Sequence, residues 1–175
     1  MVLLTDALVR THDAQRDAEA AARAREHWLG RLRLSVEAFN ARRAAQSVLS
    51  DRDIIWSMFN EDLQGLMEMG DLHGLAVRYY GMALFVAEEN RPFLPLLQQH
   101  SRMELMSFRK TGIGRVEILS TGAGSACEAC YEQHGRVFLL SEALETMPLP
   151  CKRCATVVVG DRPGFCRCIY LAVME

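Results

Sequence analysis

The sequence predicts an α+β protein, with a mostly α-helical N-terminal domain followed by a small zinc-ribbon-like α+β module. Three observations lead to this prediction. Apolar residues recur at helical spacing up to residue 110, short segments typical of strands follow, and all six cysteines lie after residue 126. The period changes at Gly112-Ile-Gly114, so we expect a domain of helical hairpins at residues 1–111 and a cysteine-rich module at residues 112–175.

The first segment, residues 5–48, is rich in Ala, Arg, Glu and Gln and contains no proline, a composition that favours helix. Gly30 predicts a break between an exposed first helix and a better packed second one. Because alanines form most of its apolar stripe, the first helix buries little apolar area. We therefore expect it to mediate association, with Trp28, Leu29 and Leu32 as anchors for a partner; a frayed start is the alternative.

Three further helices are delimited by their end signals. Ser50 and Asp53 have the spacing of a capping box, and Gly70 predicts the end of the helix that begins there. Asp71 can cap the next helix, which ends before Pro92 because the residue preceding proline avoids the helical region. A fourth helix is expected from Pro92 to about residue 110.

The C-terminal module alternates between strands and short turns. Residues 115–120 and 136–140 predict two strands, with a flexible glycine-rich loop at residues 121–125. Ser141 is expected to cap a short helix over residues 142–146, and residues 168–173 predict a third strand. This order of elements gives the module its α+β character.

The cysteines indicate a metal site. Two Cys-x-x-Cys pairs and one Cys-x-Cys pair provide the candidate ligands, and two such knuckles about twenty residues apart are typical of a zinc ribbon. Cys127 and Cys130 are the first expected pair, Cys154 follows, and the fourth ligand is open between Cys151, Cys166 and Cys168. We therefore expect Zn²⁺, with the ligand set drawn from Cys127, Cys130, Cys151, Cys154, Cys166 and Cys168.

Two other interpretations of the cysteines compete with structural zinc, namely a redox pair and inert thiols that bind no metal. A redox pair usually opens a helix in a βαβ context, which is not expected around Cys127. His134, four residues after Cys130, is a candidate ligand or base, but a histidine beside glycine in a turn is more often exposed to solvent. His100 lies on a predicted helix at no ligand spacing.

The cysteine-rich segment resembles a known family. Cys127-Glu-Ala-Cys130, Gly135-Arg-Val-Phe138, Glu142-Ala-Leu144, Pro148-Leu-Pro150 and Cys166-Arg-Cys168 follow one another in the order found in the C-terminal segment of phage Mu F-type head-morphogenesis proteins. The resemblance covers about 45 residues. It implies a structural fold element of phage-like ancestry, without a catalytic site.

Two departures from that family pattern affect the expected ligands. Gly164-Phe165 stands where the family has a histidine before the closing cysteines, and Cys151-Lys-Arg-Cys154 is an insertion. The resemblance thus implies that a cysteine of the insertion replaces that histidine. The helical part before residue 110 has no counterpart in this family.

A zinc-dependent hydrolase of the deaminase type is a further alternative. Cys130-Tyr-Glu132 followed by Pro150-Cys-Lys-Arg-Cys154 has the form of a zinc deaminase motif, in which the glutamate moves protons for a zinc-bound water. Only 17 residues separate Glu132 from Pro150, and no helix is expected to carry Glu132. Cys127 would also close the open position that catalysis requires. We therefore expect no catalytic residue and rank a zinc hydrolase below a non-catalytic role.

Charge and hydropathy restrict the class of partner. The net charge of −2 argues against a protein that coats nucleic acid. No segment approaches the ~18 apolar residues of a membrane span, and the N-terminus lacks the features of a secretory signal, so we expect a cytoplasmic protein without a membrane partner. The function we expect is that of an interaction or assembly protein, which contacts a protein partner or a second copy of itself. A nucleic-acid-binding ribbon is the alternative, because phosphate contacts need basic residues and several lie in the module. These are Arg136, Lys152, Arg153, Arg162 and Arg167.

Overall fold

The computed structural model describes residues 2–31, 33–120, 127–156, 158–159, 162–163 and 165–174. Helices dominate the first part and a small antiparallel sheet the second, so the predicted α+β class is confirmed. The first five helices are α1 Val2–Arg31, α2 Val36–Ala45, α3 Asp51–Met69, α4 Leu72–Ala87 and α5 Leu94–Lys110. Then follow β1 Arg115–Leu119, α6 Glu128–Tyr131, β2 Val137–Leu139, α7 Leu140–Thr146, a 3-10 turn Lys152–Thr156, β3 Val158–Val159, β4 Arg162–Pro163 and β5 Ile169–Ala172.

The helix ends form where the local signals predict them. The Ser50 hydroxyl accepts a hydrogen bond from the Asp53 N–H at 3.2 Å, and the Asp53 carboxylate accepts one from the Ser50 N–H at 3.2 Å. This reciprocal pair is a capping box, with Asp in place of Glu. The Asp71 carboxylate caps α4 by accepting from the Gly74 N–H at 2.9 Å. Gly70 ends α3 at a φ of 63°, a left-handed conformation that glycine adopts without strain.

The chain divides into two compact units, Met1–Glu61 and Asp62–Glu175. The division falls within α3, whereas the sequence led us to expect a boundary near residue 112. The reason is that α5 packs against both α7 and β5, which joins the last helices to the cysteine-rich segment. The Phe165 ring adds to this packing, with its centroid 5.6 Å from that of Tyr80 and 5.0 Å from that of Phe93. The position near residue 112 thus marks a change from helix to strand within one unit.

The N-terminal unit has its own apolar core of α1, α2 and the first part of α3. Trp28 and Leu29 are each only 2 % exposed, and Phe39, Ile54 and Phe59 are fully buried. The expectation that Trp28 and Leu29 anchor a partner is therefore wrong, because both side chains are buried against other residues of the same chain. Leu32, the third expected anchor, lies outside the described residues.

The sheet of the C-terminal unit has the strand order β2-β1-β5, with antiparallel pairing throughout. Its inner face carries Val116, Ile118, Phe138 and Tyr170, all of which are buried. A separate ribbon pairs β3 with β4. Ser141 lies inside α7 rather than at its N-cap, so that expectation is wrong; the N-cap is Leu139, which makes no side-chain cap hydrogen bond. The loop predicted at residues 121–125 lies outside the described residues.

Within the described part of the chain, no helix combines the length and the apolar composition that crossing a membrane requires.

Candidate metal centre

Three short segments of the C-terminal unit carry the cysteines. Cys127 is the N-cap of α6 and Cys130 lies within that helix, where the Cys130 N–H donates to the Cys127 carbonyl oxygen at 2.9 Å. The Cys154 N–H donates in the same way to the Cys151 carbonyl oxygen at 3.0 Å. Each Cys-x-x-Cys pair thus forms one tight turn. The third pair, Cys166 and Cys168, directly precedes β5.

These segments bring five of the six predicted cysteines together as two triads of thiols. The first triad is Cys127, Cys130 and Cys154, and the second triad is Cys130, Cys166 and Cys168. Within each triad all sulfur atoms lie within 4.8 Å of one another. Cys130 belongs to both triads, and its sulfur lies 3.9 Å from that of Cys166. The thiols are therefore close enough to hold metal, as the spacing predicted.

Cys151 is the sixth predicted cysteine and belongs to neither triad. Its Sγ faces the Ala129 carbonyl oxygen at 3.6 Å, while its backbone N–H donates to the Cys166 Sγ at 3.3 Å. Such an N–H···S hydrogen bond stabilises a thiolate. In this conformation Cys151 supports the second triad through its backbone.

The electrostatics of the cluster favour a negative charge on Cys166. Hydrogen bonds from Cys154 and Cys168 lower the pKa of Cys166 to about 2, even though its burial acts in the opposite direction. Burial and the neighbouring charge of Cys166 raise the pKa of Cys130 to about 12. The pKa of Cys154 and that of Cys168 are also raised, in each case first by the hydrogen bond to Cys166. Metal binding must therefore displace protons from several thiols.

The donor set indicates which metals the centre can hold. Both triads consist of sulfur alone, and thiolates suit zinc and other soft or borderline ions far better than magnesium or calcium. His134, the other candidate ligand, lies in neither triad; it is exposed, and its Nδ1 accepts a hydrogen bond from the Ser120 N–H at 3.2 Å. The expectation of an exposed turn histidine is confirmed.

Glu132, the proton carrier of the deaminase reading, is engaged elsewhere. Its two carboxylate oxygens accept hydrogen bonds from Arg153 at 2.9 and 3.4 Å, at an exposed position. We expected no helix to carry Glu132, and the residue lies outside α6, which ends at Tyr131 and has Glu132 as its C-cap. The ion pair with Arg153 ties the two Cys-x-x-Cys turns to each other on the surface.

A cavity of about 230 Å³ adjoins the second triad and is lined by polar groups that the cysteine spacing did not indicate as site residues. Its lining includes Cys166, Cys168, His100, Glu104 and the buried Ser101. His100 and Glu104 are one turn apart on α5, and the His100 Nε2 lies 3.4 Å from a Glu104 carboxylate oxygen. The only sequence signal for this pair is the i, i+4 spacing of a histidine and a glutamate on a helix face.

Burial controls the protonation of this pair. It raises the pKa of Glu104 to about 7, and the Glu104 Oε2 is buried with no hydrogen-bond partner in the part of the chain that the structure describes. Burial also lowers the pKa of His100, although a hydrogen bond to the Ala76 carbonyl oxygen, 2.9 Å from Nδ1, acts in the opposite direction. Because Nδ1 must donate to that carbonyl, Nε2 is left as the partner of the Glu104 carboxyl group. Burial thus favours the uncharged form of both side chains.

Comparison with protein-family models, with curated proteins and with solved structures gave no match for this chain.

Proposed function

We propose that this protein is a non-catalytic, zinc-stabilised assembly protein that associates with a second copy of itself through the outer face of its three-stranded sheet. Zinc bound by the cysteine cluster is a structural element in this proposal. Its task is to hold the strands that form the association surface.

The outer face of the sheet is the observation that carries the proposal. Register places Leu139 opposite Arg115, and both Val137 and Leu171 opposite Glu117, so these side chains share one face. Val137, Leu139 and Leu171 are 52 %, 59 % and 40 % exposed. Large apolar side chains gathered on one exposed sheet face are typical of an interaction surface. The opposite face is buried, so the sheet has one side available for a partner.

The cysteine cluster is well placed to support this face. Cys168 directly precedes β5, and β2 follows the α6 turn that contains Cys130. These two strands are the outer strands of the sheet, and among the described strands each pairs with β1 alone. A metal ion that ties the two segments together therefore restrains both sides of the surface. Zinc binding can supply ~10 kcal/mol or more of folding free energy, which is ample to hold these two segments in place.

Charge pattern supports a second copy as the partner. Arg115 and Glu117 lie two residues apart on β1 and belong to the outer face. A two-fold axis that lies between the two sheets, parallel to them and perpendicular to β1, brings the arginine of one copy towards the glutamate of the other. The apolar side chains of β2 and β5 flank this pair on both sides. The phage-like resemblance of the cysteine segment agrees with an assembly role.

The test is the mass of the full chain in solution. We expect a dimer at micromolar concentration with zinc present, and a monomer for Leu139→Lys, because a charge on the outer face opposes its burial. Val48→Lys is the matched control, since Val48 is 96 % exposed and lies outside the C-terminal unit. A monomeric wild type, or a Leu139→Lys variant that stays dimeric, contradicts the proposal.

A nucleic-acid-binding ribbon is the second candidate, favoured by one groove. Arg136, Lys152 and Arg153 line the same surface depression, although Glu142 lines it as well and Arg153 is paired with Glu132. Single-stranded RNA and DNA oligonucleotides titrated at low salt provide the test. If this role holds, binding should weaken steeply with added salt and should be lost in Lys152→Glu.

A further inference from the structure

The two thiol triads hold more sulfur ligands than one ion can use. A tetrahedral zinc ion binds four thiolates at ~2.3 Å, which places neighbouring sulfur atoms about 3.8 Å apart. The two triads together provide five thiols. A single ion therefore leaves one of these thiols without metal, and Cys151 as well.

Membership of the triads distinguishes the two ends of the cluster, although Cys154 of the first triad also donates a hydrogen bond to Cys166 of the second. Cys127 belongs only to the first triad and Cys168 only to the second, whereas Cys130 is common to both. An ion in the first triad would be bound by Cys127, Cys130 and Cys154. An ion in the second triad would be bound by Cys130, Cys166 and Cys168, so Cys130 is the one ligand common to both sets. This is the arrangement of two adjacent sites joined by one sulfur.

Burial and charge also favour two ions. Cys130, Cys154, Cys166 and Cys168 are buried. One divalent ion with four thiolates carries two net negative charges and leaves a buried thiol beside them. Two divalent ions with all five thiolates carry one net negative charge, so less uncompensated charge is buried. The backbone N–H of Cys151, 3.3 Å from the Cys166 sulfur, further stabilises the thiolate form of the second triad.

We infer that the centre is a two-zinc cluster, with one ion in each triad and the Cys130 thiolate as the bridge between them. Three thiolates of its own triad bind each ion. Cys151 is not one of these ligands, because its thiol faces the Ala129 carbonyl oxygen at 3.6 Å. The inference rests on the zinc-stabilised character of the proposed function and adds the number of ions and the identity of the bridging residue.

The first experiment counts ions on the full-length protein. Native mass spectrometry and elemental analysis after saturation with Zn²⁺ should give two ions per chain. Replacement by ¹¹³Cd²⁺ should give two ¹¹³Cd resonances that are scalar-coupled, because one sulfur is bound to both nuclei. One tightly bound ion per chain would overturn the inference and leave a zinc-stabilised assembly protein intact. Two uncoupled resonances would overturn the bridge by Cys130, and a folded chain without metal would overturn both proposals.

Single substitutions provide the second experiment. Cys127→Ser and Cys168→Ser each remove a ligand of one triad only, so each variant should retain one tightly bound ion and lose the other. Cys151→Ser is the matched control, because Cys151 lies in neither triad, and it should retain two ions. If Cys127→Ser and Cys168→Ser both bind the same number of tight ions as the wild type, the two-ion assignment is wrong. The count on the wild type stands even where a variant fails to fold.

Discussion

Replacement of Glu104 by glutamine should stabilise the fold above neutral pH. The side chain lies on α5 beside the cavity at the second triad, and only 23 % of it is exposed. Its Oε2 is buried with no hydrogen-bond partner among the described residues, and the His100 Nε2 lies 3.4 Å from it. A glutamine amide has the shape of the protonated carboxyl group and can donate to the His100 Nε2, but it never becomes charged.

The magnitude follows from the pKa of Glu104. Burial raises it from 4.5 to about 7. A carboxyl group whose pKa is raised on folding contributes stability that is fully present below pH 4.5 and is lost as the pH rises through about 7. The difference between the two pKa values corresponds to on the order of 3 kcal/mol. Because some solvent reaches the side chain, we expect Glu104→Gln to gain about 2 kcal/mol at about pH 8 and almost nothing below about pH 4.

Other groups near Glu104 titrate as well, so the effect of Glu104 on stability must be distinguished from theirs. Burial lowers the pKa of His100, so its contribution has the opposite sign and is lost as the pH falls. Burial also raises the pKa of Tyr170 on β5, which matters only at alkaline pH. Cys166, Cys168 and Arg167 line the same cavity. These groups are present in both the variant and the wild type. The difference in the free energy of unfolding between the two proteins therefore reports the titration of Glu104.

The assay is urea unfolding followed by circular dichroism, with saturating zinc, at several pH values. Glu145→Gln is the control, because Glu145 is exposed on α7; it should differ from wild type by less than about 0.5 kcal/mol at every pH. The reasoning fails if Glu104→Gln is no more stable than wild type at about pH 8. It also fails if the gain is the same at all pH values, because a pH-independent gain cannot come from the titration of a carboxyl group.

Three other changes test the packing, the surface pair and the metal. Gly74→Ala should destabilise by about 1–2 kcal/mol, because its Cβ would lie 2.4 Å from the Asp71 carboxylate that caps α4. The matched control is Gly65→Ala, whose Cβ meets no described atom within 4 Å; in thermal unfolding of both variants it should be neutral or stabilising by up to about 1 kcal/mol. Glu132→Ala should leave metal content unchanged and cost less than about 1 kcal/mol, because its pair with Arg153 is exposed; loss of metal in elemental analysis would contradict this. Chelation should expose the amides of β2 and β5 to hydrogen exchange while those of α2 and α3 stay protected; equal protection with and without chelator would show that metal does not hold the sheet.

The sequence was sufficient for features that depend on neighbouring residues. The capping box of Ser50 and Asp53, the cap at Asp71 and the stop at Gly70 were all predicted, and each is present. The three strands were predicted in their order along the chain, and so were the tight turns of the cysteine pairs. These features are local because a cap or a turn is completed within four residues, so its hydrogen bonds can be read from spacing alone.

Only the tertiary structure decided which distant residues meet. Spacing could not show that Cys130 is shared by two triads, that Cys151 belongs to neither, or that His100 and Glu104 lie beside Cys166. It also led to the wrong expectation for Trp28 and Leu29, since an apolar residue near the end of a helix looks the same in sequence whether it is covered by its own chain or by a partner. Such contacts join residues far apart in the chain, and they are chosen by the packing of whole helices and strands, which no local pattern contains.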